Sequence, residues 1–247
     1  MTPFNKTHPL RIVTLCSGYD SQCLALKYLQ DQHPDFAFDL IAWSEIEPSA
    51  IQAHNLLFPE YRDRNLGDMA RIDWSKVPHF DFLTYSTPCQ SVSTAGLRKG
   101  IAEGSGTRSS LLWYTRNAIL AHHPKYLMME NVKGLVSHKF LPFFHKWLAE
   151  LDSYGYNSFY KVLNAKDYGI PQNRERIFVI SILRDADDPD PQYQFPSPQP
   201  LELTVEDVVE DEVPSEYFLS QPLLEKYLTL SDIDESIEKL YPEDFHT

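Results

Sequence analysis

The chain has 247 residues, 43% of them hydrophobic and 23% charged, ordinary proportions for a globular protein with room for one α/β domain and a small appendage. No run of about 18 apolar residues occurs and the N-terminal MTPFNKTHPL has no apolar signal core, so a cytoplasmic location is expected and neither membrane insertion nor secretion. Cys16, Cys23 and Cys89 make an odd count without CxxC or Cys/His zinc spacing, so free thiols are expected rather than a disulfide framework or a metal site.

The net charge of −13 argues at first against nucleic acid, because phosphates are contacted by Lys and Arg. The charge is uneven, however. Residues 184–247 hold 18 acidic side chains against Arg184, Lys226 and Lys239, while 1–183 hold 19 basic and 17 acidic ones. All nine glycines lie between Gly18 and Gly169, and prolines crowd PDPQYQFPSPQP at 189–200. These shifts predict a domain over 1–184 and, over 185–247, a proline-rich linker with an acidic helical arm.

Along 1–184 the predicted elements alternate. LRIVTLCS reads as a strand, SQCLALKYLQDQ as a helix, DLIAWSEI as a strand and PSAIQAHNLLF as a helix with Pro48 in its first turn. DFLTYS at 81–86 is the next strand, followed by a helical RSSLLWYTRNAILAHH, the strand KYLMMENV and the helix FLPFFHKWLAELDSYG. YNSFYKVLNA and RERIFVISIL close the domain. Strands alternating with helices of this length predict an α/β fold, a doubly wound and mostly parallel sheet with a site at the carboxyl ends of its strands. Polar, reactive residues gather at those ends: CSGYDSQ, SEIE, LGDM, STPCQ and ENVKG.

The order CSGYDSQ, SEIEP, GDM, TPCQSVSTAG, TRSSLL, ENVKGLV and NAKDYGIPQNRERIFVI resembles the cytosine-C5 DNA methyltransferase family over residues 10–183 and the lead-out to about 220. The resemblance implies a Rossmann-like S-adenosylmethionine-dependent fold whose last strand is antiparallel, and it implies roles for individual residues. Cys89 is then the thiolate that adds to cytosine C6 so that C5 can attack the sulfonium methyl of S-adenosyl-L-methionine. A free thiol with a pKa of about 8.5 needs help to ionise, from positive charge or a helix N-terminus. Glu130 faces N3 and the 4-amino group, which calls for a carboxyl kept protonated by burial. Arg176 binds O2 and Arg174 lies near the cysteine, while Asn131 orders the loop. The Gly-rich stretch 96–106 reads as a lid. The substrate cytosine has to be flipped out of duplex DNA.

The same resemblance gives the cofactor set. Glu45 takes the ribose hydroxyls, Ile46 packs on adenine, and Asp68 accepts from the adenine amine with Met69 beside it. Backbone groups of Cys16, Ser17, Gly18, Tyr19, Asp20, Ser21 and Gln22, with Pro88 and Leu111, line the rest. Here the chain departs from the family's FxGxGG loop: Cys16 replaces the aromatic, Asp20 and Ser21 replace two glycines, and Asp20 is expected at the cofactor's ammonium. The family's target-recognition domain and its closing Gly-Asn segment have no counterpart before residue 247, so recognition is expected from a second chain or from sequence outside these residues. Three readings stay open: a DNA cytosine methyltransferase, a non-catalytic binding subunit or relic on the same fold, and an RNA cytosine methyltransferase.

Overall fold

A computed structural model describes residues 4–88 and 108–223. Cys89 and the Gly-rich stretch 96–106 therefore lie outside the described residues, as does 224–247 of the acidic arm.

Six strands form one sheet: β1 (Leu10–Leu15), β2 (Phe38–Ser44), β3 (Phe82–Tyr85), β4 (Tyr126–Val132), β5 (Tyr156–Asn164) and β6 (Glu175–Leu183), in the order β2-β1-β3-β4-β6-β5. β2, β1, β3 and β4 are parallel, whereas β6 runs antiparallel to both β4 and β5. The sheet is thus mostly parallel with an antiparallel last strand, as expected. Its helices are α1 (Ser21–Gln32), α2 (Pro48–Leu57), α3 (Thr115–His122) and α4 (Leu141–Ser153).

Alternation along the strands sends side chains to two cores. Val13, Leu15, Leu83 and Tyr85 join Ile119, Phe144, Trp147 and Leu151 from α3 and α4 in the larger one. Ile12, Leu40 and Trp43 join Cys23 of α1 and Phe58, just past α2, in the smaller. In the larger core the buried Trp147 indole N–H donates to the Tyr85 hydroxyl at 3.1 Å, which fixes the last residue of β3 immediately before the loop that leads to Cys89.

Three local expectations are revised. The predicted helix over 108–123 is a 3₁₀ segment at Arg108–Tyr114 and an α-helix only from Thr115. The tighter segment buries the neighbouring Leu112 and Trp113, with the Arg116 and Lys146 cations over the Trp113 ring, and 3₁₀ winding is frequent at an α-helix N-terminus. LGDM does not end a sheet strand: it is a loop tied to β2 through an isolated bridge between Trp43 and Asn65. In the arm, LTVEDVVEDEVPSEY forms 3₁₀ turns at Glu206–Val208 and Ser215–Tyr217 rather than polar α-helices, consistent with its run of β-branched residues and Pro214.

The chain divides into two compact units, Met1–Glu202 and Leu203–Thr247. The proline-rich stretch belongs to the first. It follows the outer edge of β5, where Asn157 donates to Asp190 at 2.8 Å, Phe159 meets Tyr193, and the Gln199 amide donates to the Asp167 carbonyl at 2.8 Å. No helix among the described residues is long and apolar enough to cross a membrane.

Replacing Trp147 by Phe keeps an aromatic ring but leaves the buried Tyr85 hydroxyl without its donor. We expect a loss of roughly 1–3 kcal/mol of stability by urea unfolding, the range for orphaning one buried polar group.

Candidate active site

The carboxyl ends of β1 and β2 carry two loops that hold each other. After Leu15 the chain turns through left-handed residues at Cys16 (φ 52°), Gly18 (φ 59°) and Asp20 (φ 66°) before α1 begins. This geometry is costly for a side chain larger than glycine, and Asp accepts it best. The Ser17 amide donates to the Ser44 carbonyl at 3.1 Å and the Gly18 amide to Glu45 Oε2 at 2.9 Å. Glu45 Oε1 accepts from the Ile46 and Glu47 amides at 2.7 and 2.9 Å. Asn65 in turn clamps the Glu45 backbone, accepting from its amide and donating to its carbonyl.

The 66–69 loop is tied to the end of β2, the Leu66 amide donating to the Trp43 carbonyl at 2.7 Å and the Ser44 hydroxyl to the Gly67 carbonyl at 2.6 Å. The Cys16 thiol lies 3.4 Å from the Met69 sulfur, and burial, then the Glu45 and Asp68 carboxylates, push that thiol up to about 12. Cys16 is accordingly a neutral thiol and no competitor for a nucleophile's role. Ile46 stands 60% exposed beside this group, an apolar face open to a flat ligand. Tyr19 and Ser21 are also exposed, Leu111 is half-buried against the larger core, and the buried Ser17 Oγ has no hydrogen-bond partner among the described residues. Asp20 departs from expectation. Its side chain is 0% exposed and turned inward, accepting from Thr14 Oγ1 at 2.6 Å and from the Cys23 amide at 3.2 Å, so it cannot meet an ammonium in the loop. The helix cap and the core claim both its oxygens.

A second group of residues forms at the ends of β3 and β4. Ser86, Thr87 and Pro88 lead toward residue 89; the Ser86 hydroxyl accepts from Gln22 at 3.2 Å, and the Thr87 carbonyl accepts from buried Asn131 at 3.0 Å. Asn131 therefore orders this loop, in the way its place in ENV suggested. One residue earlier, Glu130 Oε1 lies 3.0 Å from Arg176 Nε. Arg176 reaches it because β6 is antiparallel: Val132 pairs with Arg176, which brings the start of β6 to the carboxyl end of β4. Arg174 precedes the strand and is exposed, yet its charge also acts on Glu130. Burial nonetheless wins at Glu130, raising its carboxyl above the ordinary value against the opposing pull of Arg176, Arg174 and the Ser86 hydroxyl. A carboxyl of this kind can hold a proton and offer it to a ring nitrogen, with a guanidinium beside it for a carbonyl oxygen.

Sequence reasoning missed Asn65, Ser86 and Thr14. The asparagine before LGD was a turn signal of a common kind, and nothing local marked the other two.

The sequence model of the C-5 cytosine-specific DNA methylases matches residues 10–246. The chain belongs to this family. It is 46% identical over 176 residues to "Type II methyltransferase M2.ScrFI" of Lactococcus lactis subsp. cremoris, covering 69% of this chain and 48% of that protein. It is 38% identical over 180 residues to "Type II methyltransferase M.Bsp6I" of Bacillus sp. (strain RFL6), covering 71% and 56% respectively. The chain thus spans about half the length of these curated relatives. Among solved structures, a Spodoptera frugiperda DNMT2 mutant matches with a TM-score of 0.65 at 18% identity, covering 87% of this chain and 63% of that one. A putative DNA modification methyltransferase encoded within an E. coli prophage matches with a TM-score of 0.62 at 22% identity, covering 83% and 56%. At such identities these two establish the shared fold.

Because the folded-state pKa of Glu130 is raised, its contribution to stability is fully present at low pH and is lost as pH rises from about 4.5 through the folded value. Wild type should therefore lose stability relative to Glu130→Gln over that rise. Parallel urea titrations at pH 4 to 7 check it; a difference that is flat with pH, or that grows in favour of wild type, would contradict the raised carboxyl.

Proposed function

We propose that this chain carries the catalytic and cofactor-binding part of a DNA cytosine-5 methyltransferase. The observation that supports it best is Glu130, a carboxyl raised by burial, paired with Arg176 at 3.0 Å on the strand whose Asn131 holds the loop to Cys89. On the same sheet edge, Glu45, Gly18, Ile46, Asp68 and Met69 form a second group of a different chemistry: a carboxylate fixed by backbone amides, an exposed apolar face and a buried thioether.

The second group fits S-adenosyl-L-methionine, which supplies an electrophilic methyl on a sulfonium sulfur. Glu45 would accept from the ribose hydroxyls, Ile46 would cover the adenine, and Asp68 and Met69 would meet its edge. The first group fits a cytosine removed from the base stack. Cys89 Sγ forms a bond to C6 while the ring's electron pair moves toward C5 and Glu130 delivers a proton to N3. Arg176 stabilises the negative charge that grows on O2, and Arg174 adds a positive field. Transfer of the methyl to C5 would release the thioether S-adenosyl-L-homocysteine; loss of the C5 proton to a base, return of the N3 proton to Glu130 and expulsion of the Cys89 thiolate would then restore the aromatic ring. Pro88 and the Asn131 contact keep the nucleophile's loop in place while this occurs.

Residues 1–184 are proposed as the chemical unit, with the proline-rich stretch that follows packed along β5 and the residues after Glu202 as an acidic arm. Recognition of a target sequence needs a basic surface with many phosphate contacts. It therefore belongs to protein outside 1–184, either on the same polypeptide or on a second one.

Two measurements test this function. DNA containing 5-fluorocytosine, presented with whatever recognition portion the enzyme uses, should become covalently attached in the presence of S-adenosyl-L-methionine, since fluorine cannot leave as a proton does. Denaturing gels should show the adduct with wild type and none with Cys89→Ser; an adduct that persists in the variant rejects the nucleophile. By calorimetry, Glu45→Ala and Asp68→Ala should each weaken cofactor binding by roughly 1–3 kcal/mol, the range for unpaired buried polar partners, whereas Glu130→Ala should leave it unchanged. Equal losses in all three would show that the two groups of residues are wrongly assigned.

A further inference from the structure

Behind the cofactor loop lies a buried polar contact that the proposed chemistry does not use. Asp20 sits in the left-handed region at the head of α1, wholly shielded from water. A carboxyl group so placed needs donors and polar neighbours to offset its lost hydration. Thr14 and the Cys23 amide supply two donors. The third neighbour is His54 of α2, equally buried, whose Nε2 stands 3.7 Å from Asp20 Oδ2. Neither ring nitrogen of His54 has a hydrogen-bond partner among the described residues.

The His54 ring lies flat on Trp43, with centroids 3.7 Å apart and planes at 15°, and a tilted Phe58 ring lies 5.2 Å away. Packing alone would be met as well by a phenylalanine there, without burying two polar nitrogens. The imidazole instead joins two elements that carry the cofactor group. Through Asp20 it touches the loop of Ser17 and Gly18, since the Asp20 amide also donates to the Ser17 carbonyl at 2.9 Å. Through Trp43 it touches the strand that ends at Ser44, one residue before Glu45.

We propose that His54 and Asp20 form a buried positioning pair that sets the first loop against Glu45, so that affinity for S-adenosyl-L-methionine depends on two side chains that never touch it. The pair also accounts for a non-glycine residue at position 20. Its left-handed backbone is costly for Asp, and the contacts of the carboxylate to Thr14, Cys23 and His54 over-determine that conformation. The inference rests on the cofactor reading, and a second readout separates the two.

The test uses the full chain, with His54→Phe to keep the stack and volume and Asp20→Asn to keep the cap acceptor while removing the charge. Calorimetry with S-adenosyl-L-methionine should show each variant binding about tenfold more weakly, and the double variant no weaker than the weaker single one, as expected of residues acting as a unit. In the cofactor-free protein, amide hydrogen exchange over residues 16–24 should quicken by roughly fivefold or more while exchange in β3 and β4 stays as in wild type. Unchanged exchange over 16–24 in His54→Phe overturns the pair, and so do additive losses of affinity in the double variant. Faster exchange there in a protein that binds no S-adenosyl-L-methionine supports the pair and rejects the cofactor assignment instead.

Discussion

The antiparallel pairing of β4 with β6 is the constraint on which the reactive site depends. In a parallel sheet the carboxyl ends of all strands meet at one edge, and residues that begin a strand lie at the other. A sixth parallel strand would have carried Arg174 and Arg176 to the far side of the molecule. Reversing β6 sets its first residues opposite the last residues of β4, with Arg176 across from Val132 and its guanidinium 3.0 Å from Glu130. β5 supplies the outer support for this arrangement, paired with β6 from Tyr156–Leu183 to Asn164–Glu175, and the proline-rich stretch covers its free edge. Proline cannot extend the ladder, so this covering also discourages edge-to-edge association.

At Glu130 two opposing effects meet. Two guanidinium groups and a hydroxyl favour the carboxylate, while burial favours the neutral acid, and the balance falls on the side of burial. An arginine closer in or a wetter site would reverse it and leave a permanent anion at the end of β4. The Lys133–Glu175 pair, at 2.8 and 2.9 Å, gives the intervening Glu175 its own cation and leaves Arg176 for Glu130.

The cofactor group and the reactive group are joined by contacts between loops. Gln22, in the first turn of α1, donates to Ser86 just past β3, and Ser86 reaches Glu130. The Cys16 to Gln22 segment is therefore a common wall, held on one side by Glu45 and on the other by the end of β3. Tertiary links of this kind let a short loop keep a strained backbone, since several partners fix it at once.

The sequence by itself determined much of this protein. The period-two strands, the helices between them and the ordered residues at the strand ends were local patterns, and they placed Glu45, Glu130 and Asn131 at one edge of a mostly parallel sheet, while the resemblance to the family assigned Asp68 and Arg176 to the same site. Composition separated the glycine-bearing part from the acidic one, though it set the linker boundary near 185, while the fold keeps the prolines with the first unit through contacts to β5 and the turn after it. Tertiary structure decided the direction of Asp20, whose oxygens accept from Thr14 and the Cys23 amide, with His54 3.7 Å away, rather than meeting a ligand. It also decided the clamp of Asn65 on Glu45, the 3₁₀ start of the 108–122 segment and the absence of a strand at LGDM. The reason is range: hydrophobic period and turn chemistry act over a few neighbouring residues and can be read along the chain, whereas a buried carboxylate or a strained turn is settled by partners as far as 34 positions away for Asp20 and 46 for Glu130, which only the packed sheet brings within 4 Å.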